Sequence, residues 1–185
     1  MPGPNRIEGY AIISSDGMIA DAAGIQPDAL RIEADQKFFY DALARADAVA
    51  HGRNSGEGGP LAAQRSRLIL TRRIPALERD AQNPKALLWN PAGASLDRAW
   101  SMLHPAGGIL AVIGGTDVFG YFLELGYDVF YLTRVPDLRL PGGRPVFPGV
   151  PAHTPDDLLA NHGLRPEAPR ILDAKSGTSL VAWRR

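Results

Sequence analysis

Four places in the sequence combine residue types that can do chemistry. The first is Asp35. At helical spacing it falls between Phe38, Phe39 and Ala42, with Lys37, Tyr40 and Asp41 on the other side, so its carboxyl points toward an apolar surface. Desolvation there raises a carboxyl pKa and suits the group to donate or relay a proton. An acid left in water and stabilised by the dipole of a first helical turn is the plainer reading of the same residue. The second is Gly52-Arg53-Asn54-Ser55, directly after an apolar run. Ligands gather at strand ends in α/β sheets. Glycine admits close backbone approach, arginine offers a fork for phosphate, and Asn and Ser add hydrogen bonds. A solvated glycine-rich loop accounts for the same four residues without a ligand. The third is Gly114-Gly115-Thr116, followed by Asp117 and Val118, between an apolar run and a helical pattern. Free N–H groups at a helix start favour an anion; a tight turn with Thr116 as the cap is the alternative. The fourth is Thr71-Arg72-Arg73 at another strand end. Two arginines there suit a phosphate, such as the 2′-phosphate of a dinucleotide, or form an ordinary basic loop.

Other chemistries find little support. The chain has no cysteine, which removes disulfides, thiolate zinc sites, iron–sulfur clusters and cysteine nucleophiles. His51, His104, His153 and His162 are not spaced as zinc ligands and read as structural or exposed, so no metal is expected. Ser14 and Ser15 lack the G-x-S-x-G context of a serine hydrolase. Neither G-x-G-x-x-G nor a Walker A sequence occurs. Twenty basic residues balance twenty acidic ones, with no basic cluster interleaved with aromatics, so nucleic acid is not an expected partner. No stretch approaches the roughly 18 apolar residues of a membrane span. The N-terminal MPGPNR precedes no apolar leader, and a cytoplasmic location is expected.

These residues need a scaffold. A chain of 185 residues, 45% hydrophobic, is long enough for a normal core and reads as one domain. Apolar runs at 7–15, 46–50, 67–71, 86–89, 109–113 and 128–135 read as strands. Helical spacing appears at 35–44, at Leu96, Ala99, Trp100 and Leu103, and at Val118, Phe119, Phe122 and Leu123. Thr154-Pro155-Asp156-Asp157 is a helix start with cap, proline and acids in place. Residues 170–172 and 178–183 bracket Ser176-Gly177 as an antiparallel hairpin. The Pro/Gly-rich stretch 136–151 reads as a surface loop. Alternating strands and helices predict an α/β fold with a mixed, mainly parallel sheet covered on both faces.

In order along the chain, these pieces resemble the dihydrofolate reductase superfamily, most of all the reductase domain of riboflavin biosynthesis (the RibD C-terminal type). Residues 14–20 (SSDGMIA) are similar to that family's S-x-DG-x-IA turn, and Ala46-Asp47-Ala48-Val49 with Gly52-Arg53 to its strand and Gly-Arg loop. Residues 68–72 resemble the strand that ends on the adenosine phosphate. Val112-Ile113-Gly114-Gly115 resembles the phosphate turn, Tyr131-Leu132-Thr133 the strand beyond it, and Phe147-Pro148 the pair that follows. The resemblance implies a dihydrofolate reductase-like fold with an antiparallel C-terminal edge. It implies NADPH at Ile12, Gly52, Arg53, Asn54, Ser55, Thr71, Arg72, Ile113, Gly114, Gly115, Thr116, Asp117 and Val118. Substrate would lie at Ala11, Asp35, Phe39 and Thr133, with Asp35 catalytic. The implied activity is hydride transfer from NADPH to a C=N or C=O of a pyrimidine- or pterin-like small molecule, as in 5-amino-6-(5-phosphoribosylamino)uracil reductase; a homodimer is expected on the same ground. Met18 stands where riboflavin-type reductases usually have lysine, GEGGP at 56–60 replaces an Asp-Pro segment, and the loop 20–27 lacks the tryptophan of dihydrofolate reductases. A dihydrofolate reductase and a non-catalytic binding protein on the same fold are the alternative readings.

Overall fold

The structure is a computed structural model and describes residues 2–103 and 105–185. The N-terminal apolar run forms β1 (Arg6–Ser14), which turns at Asp16 and Gly17 into the short β2 (Met18–Ala20). There follow α1 (Glu33–Arg45), β3 (Ala48–Gly52), β4 (Arg67–Leu70), β5 (Leu77–Arg79), β6 (Ala86–Trp89) and α2 (Leu96–Leu103). The second half supplies β7 (Ile109–Gly114), α3 (Thr116–Leu125), β8 (Val129–Val135), β9 (Arg144–Pro145), α4 (Pro155–Asn161), β10 (Arg165–Pro166), β11 (Arg170–Asp173) and β12 (Thr178–Arg184).

The main sheet runs β10-β12-β8-β1-β7-β3-β4-β6-β5, with β11 also beside β12. The six strands from β8 to β6 are parallel, while β12 on β8, β11 on β12 and β5 on β6 are antiparallel. This is the expected mixed sheet with its C-terminal hairpin. Alternation along the strands sorts the apolar side chains between two faces. In β7, Leu110 and Val112 join the large core under α2 and α3, while Ala111 and Ile113 pack with α1 through Ala42 and Leu43. The α1 face also takes Tyr10 and Tyr131, which lie opposite each other in β1 and β8.

Three expectations are corrected. First, β3 begins at Ala48 and runs through Gly52, because the Asp47 side chain accepts the Ile109 N–H at 2.8 Å and turns the chain before the strand. His51 and Gly52 are therefore strand residues paired with Ile69 and Leu70. Second, Thr116 does not cap α3: Gly115 is the cap, and the Thr116 hydroxyl donates instead to the Pro145 carbonyl. Third, 136–151 is no plain surface loop. Val146 and Phe147 are fully buried, β9 pairs with β2, and Leu140 N donates to Asp16 at 3.0 Å. The apolar residues of this stretch are too few and too widely spaced by Pro and Gly to show a period, so only packing reveals them. Thr154 does cap α4, accepting from Asp157 N at 3.0 Å. Of the four histidines, His104 lies outside the described residues.

Candidate functional site

A cleft of about 360 Å³ opens on the α1 face of the sheet. Its floor comes from alternate residues of three parallel strands: Tyr10 and Ile12 of β1, Ile113 of β7, and Tyr131 and Thr133 of β8, with Ala11 also reaching it. Asp35, Phe38 and Phe39 of α1 form one wall, and Asn54 to Gly58 form another. The period of two along each strand is what aims these side chains at a common space.

Asp35 sits in the first turn of α1, facing buried Thr133. Burial pushes its carboxyl up to about 6, and a hydrogen bond with the Thr133 side chain only partly opposes this. The group is therefore available to hold a proton near neutral pH, as a relay or donor needs. Around it, Tyr10 stacks on Tyr131 with ring centroids 5.0 Å apart, and Phe38 meets Tyr131 edge-on at 5.2 Å. These rings make a flat apolar surface beside the Asp35 carboxyl, which suits a planar heterocycle.

At the other end lie the two glycine turns. β3 and β7 are neighbours with His51 opposite Gly114, so Gly52 and Gly115 emerge side by side. A Cβ on Gly52 would stand 3.6 Å from Val118 and 3.9 Å from Gly115 N. Gly114 has φ +115°, in the region that favours glycine, and a Cβ on Gly115 would come within 2.9 Å of Ser55 Oγ. No side chain caps α3, so its first N–H groups remain open to an acceptor. These bare turns fit the phosphates of a dinucleotide, and a side chain at Gly115 would fill the cradle. The Arg72 guanidinium lies 3.8 Å from Asp117, both exposed, and neither lines the cleft.

The cleft thus brings together Ala11, Ile12, Asp35, Phe39, Asn54, Ser55, Ile113, Gly115 and Thr133 of the residues singled out from sequence. Gly52, Gly114, Thr116 and Val118 stand next to it in the turn and helix start, while Arg53, Thr71, Arg72 and Asp117 are outside its lining. Tyr10, Phe38, Tyr131 and Glu57 line it and carry no assignment from sequence. Tyr10 and Tyr131 precede Ile12 and Thr133 by two residues, and that strand period was the available signal. Among the described residues no three His, Asp or Glu side chains gather as a metal ion would need, and no helix is long and apolar enough to cross a membrane.

Comparison with solved structures places this architecture. A protein from Shewanella sp. PV-4 ascribed to riboflavin biosynthesis superposes with a TM-score of 0.69 at 18% identity, over 97% of this chain and 98% of that one. A dihydrofolate reductase from Enterococcus faecalis, complexed with NADP(H) and a ligand, gives 0.65 at 18% identity over 100% and 99% of the two chains. The fold is that of the dihydrofolate reductases. A third structure, the diaminohydroxyphosphoribosylaminopyrimidine deaminase/5-amino-6-(5-phosphoribosylamino)uracil reductase of Thermotoga maritima, gives 0.63 at 17% identity. It is matched over 98% of this chain and 56% of that one. The sequence matches no protein-family model and no curated protein. What is shared at these identities is the dihydrofolate reductase fold.

Proposed function

We propose that the chain is an NADPH-dependent reductase acting on a C=N or C=O bond of a planar, pyrimidine- or pterin-like molecule. The carrying observation is that one continuous cleft joins a half-buried carboxyl, Asp35, to the bare glycine turn at Gly115. Bound NADPH supplies a hydride to carbon, and the matching proton must reach the nitrogen or oxygen of the same bond. Asp35 is the group placed to hold that proton, on a carboxyl oxygen, and to orient the ring. Phe39, Phe38 and Tyr131 pack on the ring and keep water from it. Ser55, Gly115 and the first turn of α3 would hold the phosphates, with the exposed Arg53 and Arg72 as screening cations.

A titration of NADPH fluorescence with the protein tests the reading directly. Binding in the micromolar range is expected; its absence overturns it. NADPH oxidation is then followed with dihydropterins and aminopyrimidine derivatives. Binding without any oxidation would favour the second reading, a non-catalytic ligand-binding protein. Met18 favours that reading too: it is buried in the core where riboflavin-type reductases usually carry a lysine.

A further inference from the structure

Behind the glycine-rich wall of the cleft lies a buried polar network. Glu57 sits among glycines in a loop, yet its side chain is 1% exposed. Its carboxylate accepts a forked pair of hydrogen bonds from Arg67, at 2.8 Å and 3.0 Å, and Arg65 Nε stands 3.2 Å from the same group. Arg67 also donates to the Ala62 carbonyl and, through Nη1, reaches His51 Nε2 at 2.9 Å. Arginine has no acceptor, so His51 Nε2 must accept. The ring proton is then on Nδ1, where it is donated to the Gly52 carbonyl at 2.7 Å. The ring is neutral in this arrangement. Burial first, and the Arg67 charge second, hold its pKa below the usual histidine range, against the Gly52 carbonyl and the Glu57 charge.

The network spans both ends of the cleft. Gly52, bonded to His51, is the strand end beside Gly115. Gly56 lies against the His51 ring, where a Cβ would meet Cε1 at 3.1 Å. Glu57 fixes the far end of the same segment. A stretch this rich in glycine loses much conformational entropy when it takes one shape. Charge-assisted, forked hydrogen bonds are the strongest ties available to offset that loss.

We propose that Glu57, acting through Arg67 and the Nδ1–H form of His51, is the positioning residue that holds residues 52–58 as the cleft wall. One buried network then sets the shape of both the glycine turn and the substrate-side wall. This concerns the ligand-free chain and holds whichever ligand the cleft takes.

The test is hydrogen–deuterium exchange on the ligand-free protein. In Glu57→Gln, exchange across 52–58 should rise about tenfold or more while 178–184, in β12, stays as in the wild type. Unchanged exchange across 52–58 in the folded variant overturns the proposal. If Glu57→Gln does not fold, the pH response decides. Wild-type exchange at 52–58, corrected for the intrinsic rate and referred to 178–184, should rise about fivefold on acidification from about pH 7.5 to below the usual histidine range, where His51 takes a proton and its bond from Arg67 is lost. His51→Gln should lack that rise; parallel profiles overturn the proposal. NADPH affinity is read separately: a wild type that binds no NADPH removes the reductase reading, and the exchange data still decide the network.

Discussion

At Asp35 two effects compete. Burial favours the protonated carboxyl, and the bond with Thr133 favours the carboxylate; burial wins, and the group titrates near 6. The sign for stability follows. Between the ordinary carboxyl range and about pH 6 the folded chain binds a proton that the unfolded chain does not, so Asp35 costs stability as pH rises through this window. Asp35→Asn should therefore stabilise the protein at pH 7 by about 2–3 kcal/mol, with the gain vanishing near pH 3, as read by urea denaturation. On the reductase reading the same variant should lose about 100-fold or more in turnover while NADPH affinity stays. Wild-type turnover should fall as pH rises through about 6, because the proton to be donated is then lost. The apolar side of Asp35 was visible in helical spacing with Phe38, Phe39 and Ala42. Thr133 was reached only through the family resemblance, since no local pattern links β8 to α1.

At the scale of elements, the decisive join is between β7 and α3. The chain leaves the strand through Gly114 at positive φ and enters the helix with Gly115 as the cap. Gly115→Ala should therefore push against Ser55 and narrow the cradle. The expected result is a loss of NADPH affinity of about tenfold with little change in melting temperature, measured by fluorescence titration and calorimetry. Unchanged affinity would show that the turn does not meet the cofactor. Long elements were legible because each carries several periods: the strands at Ile109 and Val129 and helices α1 and α3 all appear near their expected places. The strands β2, β5, β9 and β10 have two or three residues each, less than one readable repeat. Thr116 misled for a different reason. Its type suits a cap, but the Pro145 carbonyl, from a distant segment, offered its hydroxyl a partner.

Across the whole molecule, Asp35 and His51 oppose each other in acid. Asp35 gives the folded state an extra proton; His51, whose pKa is lowered by burial, leaves the unfolded state with one more. Their slopes partly cancel below about pH 6, where the folded Asp35 carboxyl holds its proton and the buried His51 resists taking one. Removing Asp35 as Asn should expose the histidine term, so that stability falls on acidification by up to about 1.4 kcal/mol per pH unit more than in the wild type. His51→Gln should tilt the curve the opposite way; chemical denaturation across pH reads both. Composition, charge balance and the two periodicities determined the fold class, since hydrophobic repeats of two and of 3.6 residues are local properties of a chain. The same repeats marked the glycine turns and the apolar side of Asp35. Tertiary structure alone decided that these features share one cleft, that Tyr10 and Tyr131 floor it, and that Glu57 is buried against Arg65 and Arg67. The reason is physical: burial and ion pairing depend on which distant strands become neighbours, and β3 meets β4 and β7 only after the sheet has formed.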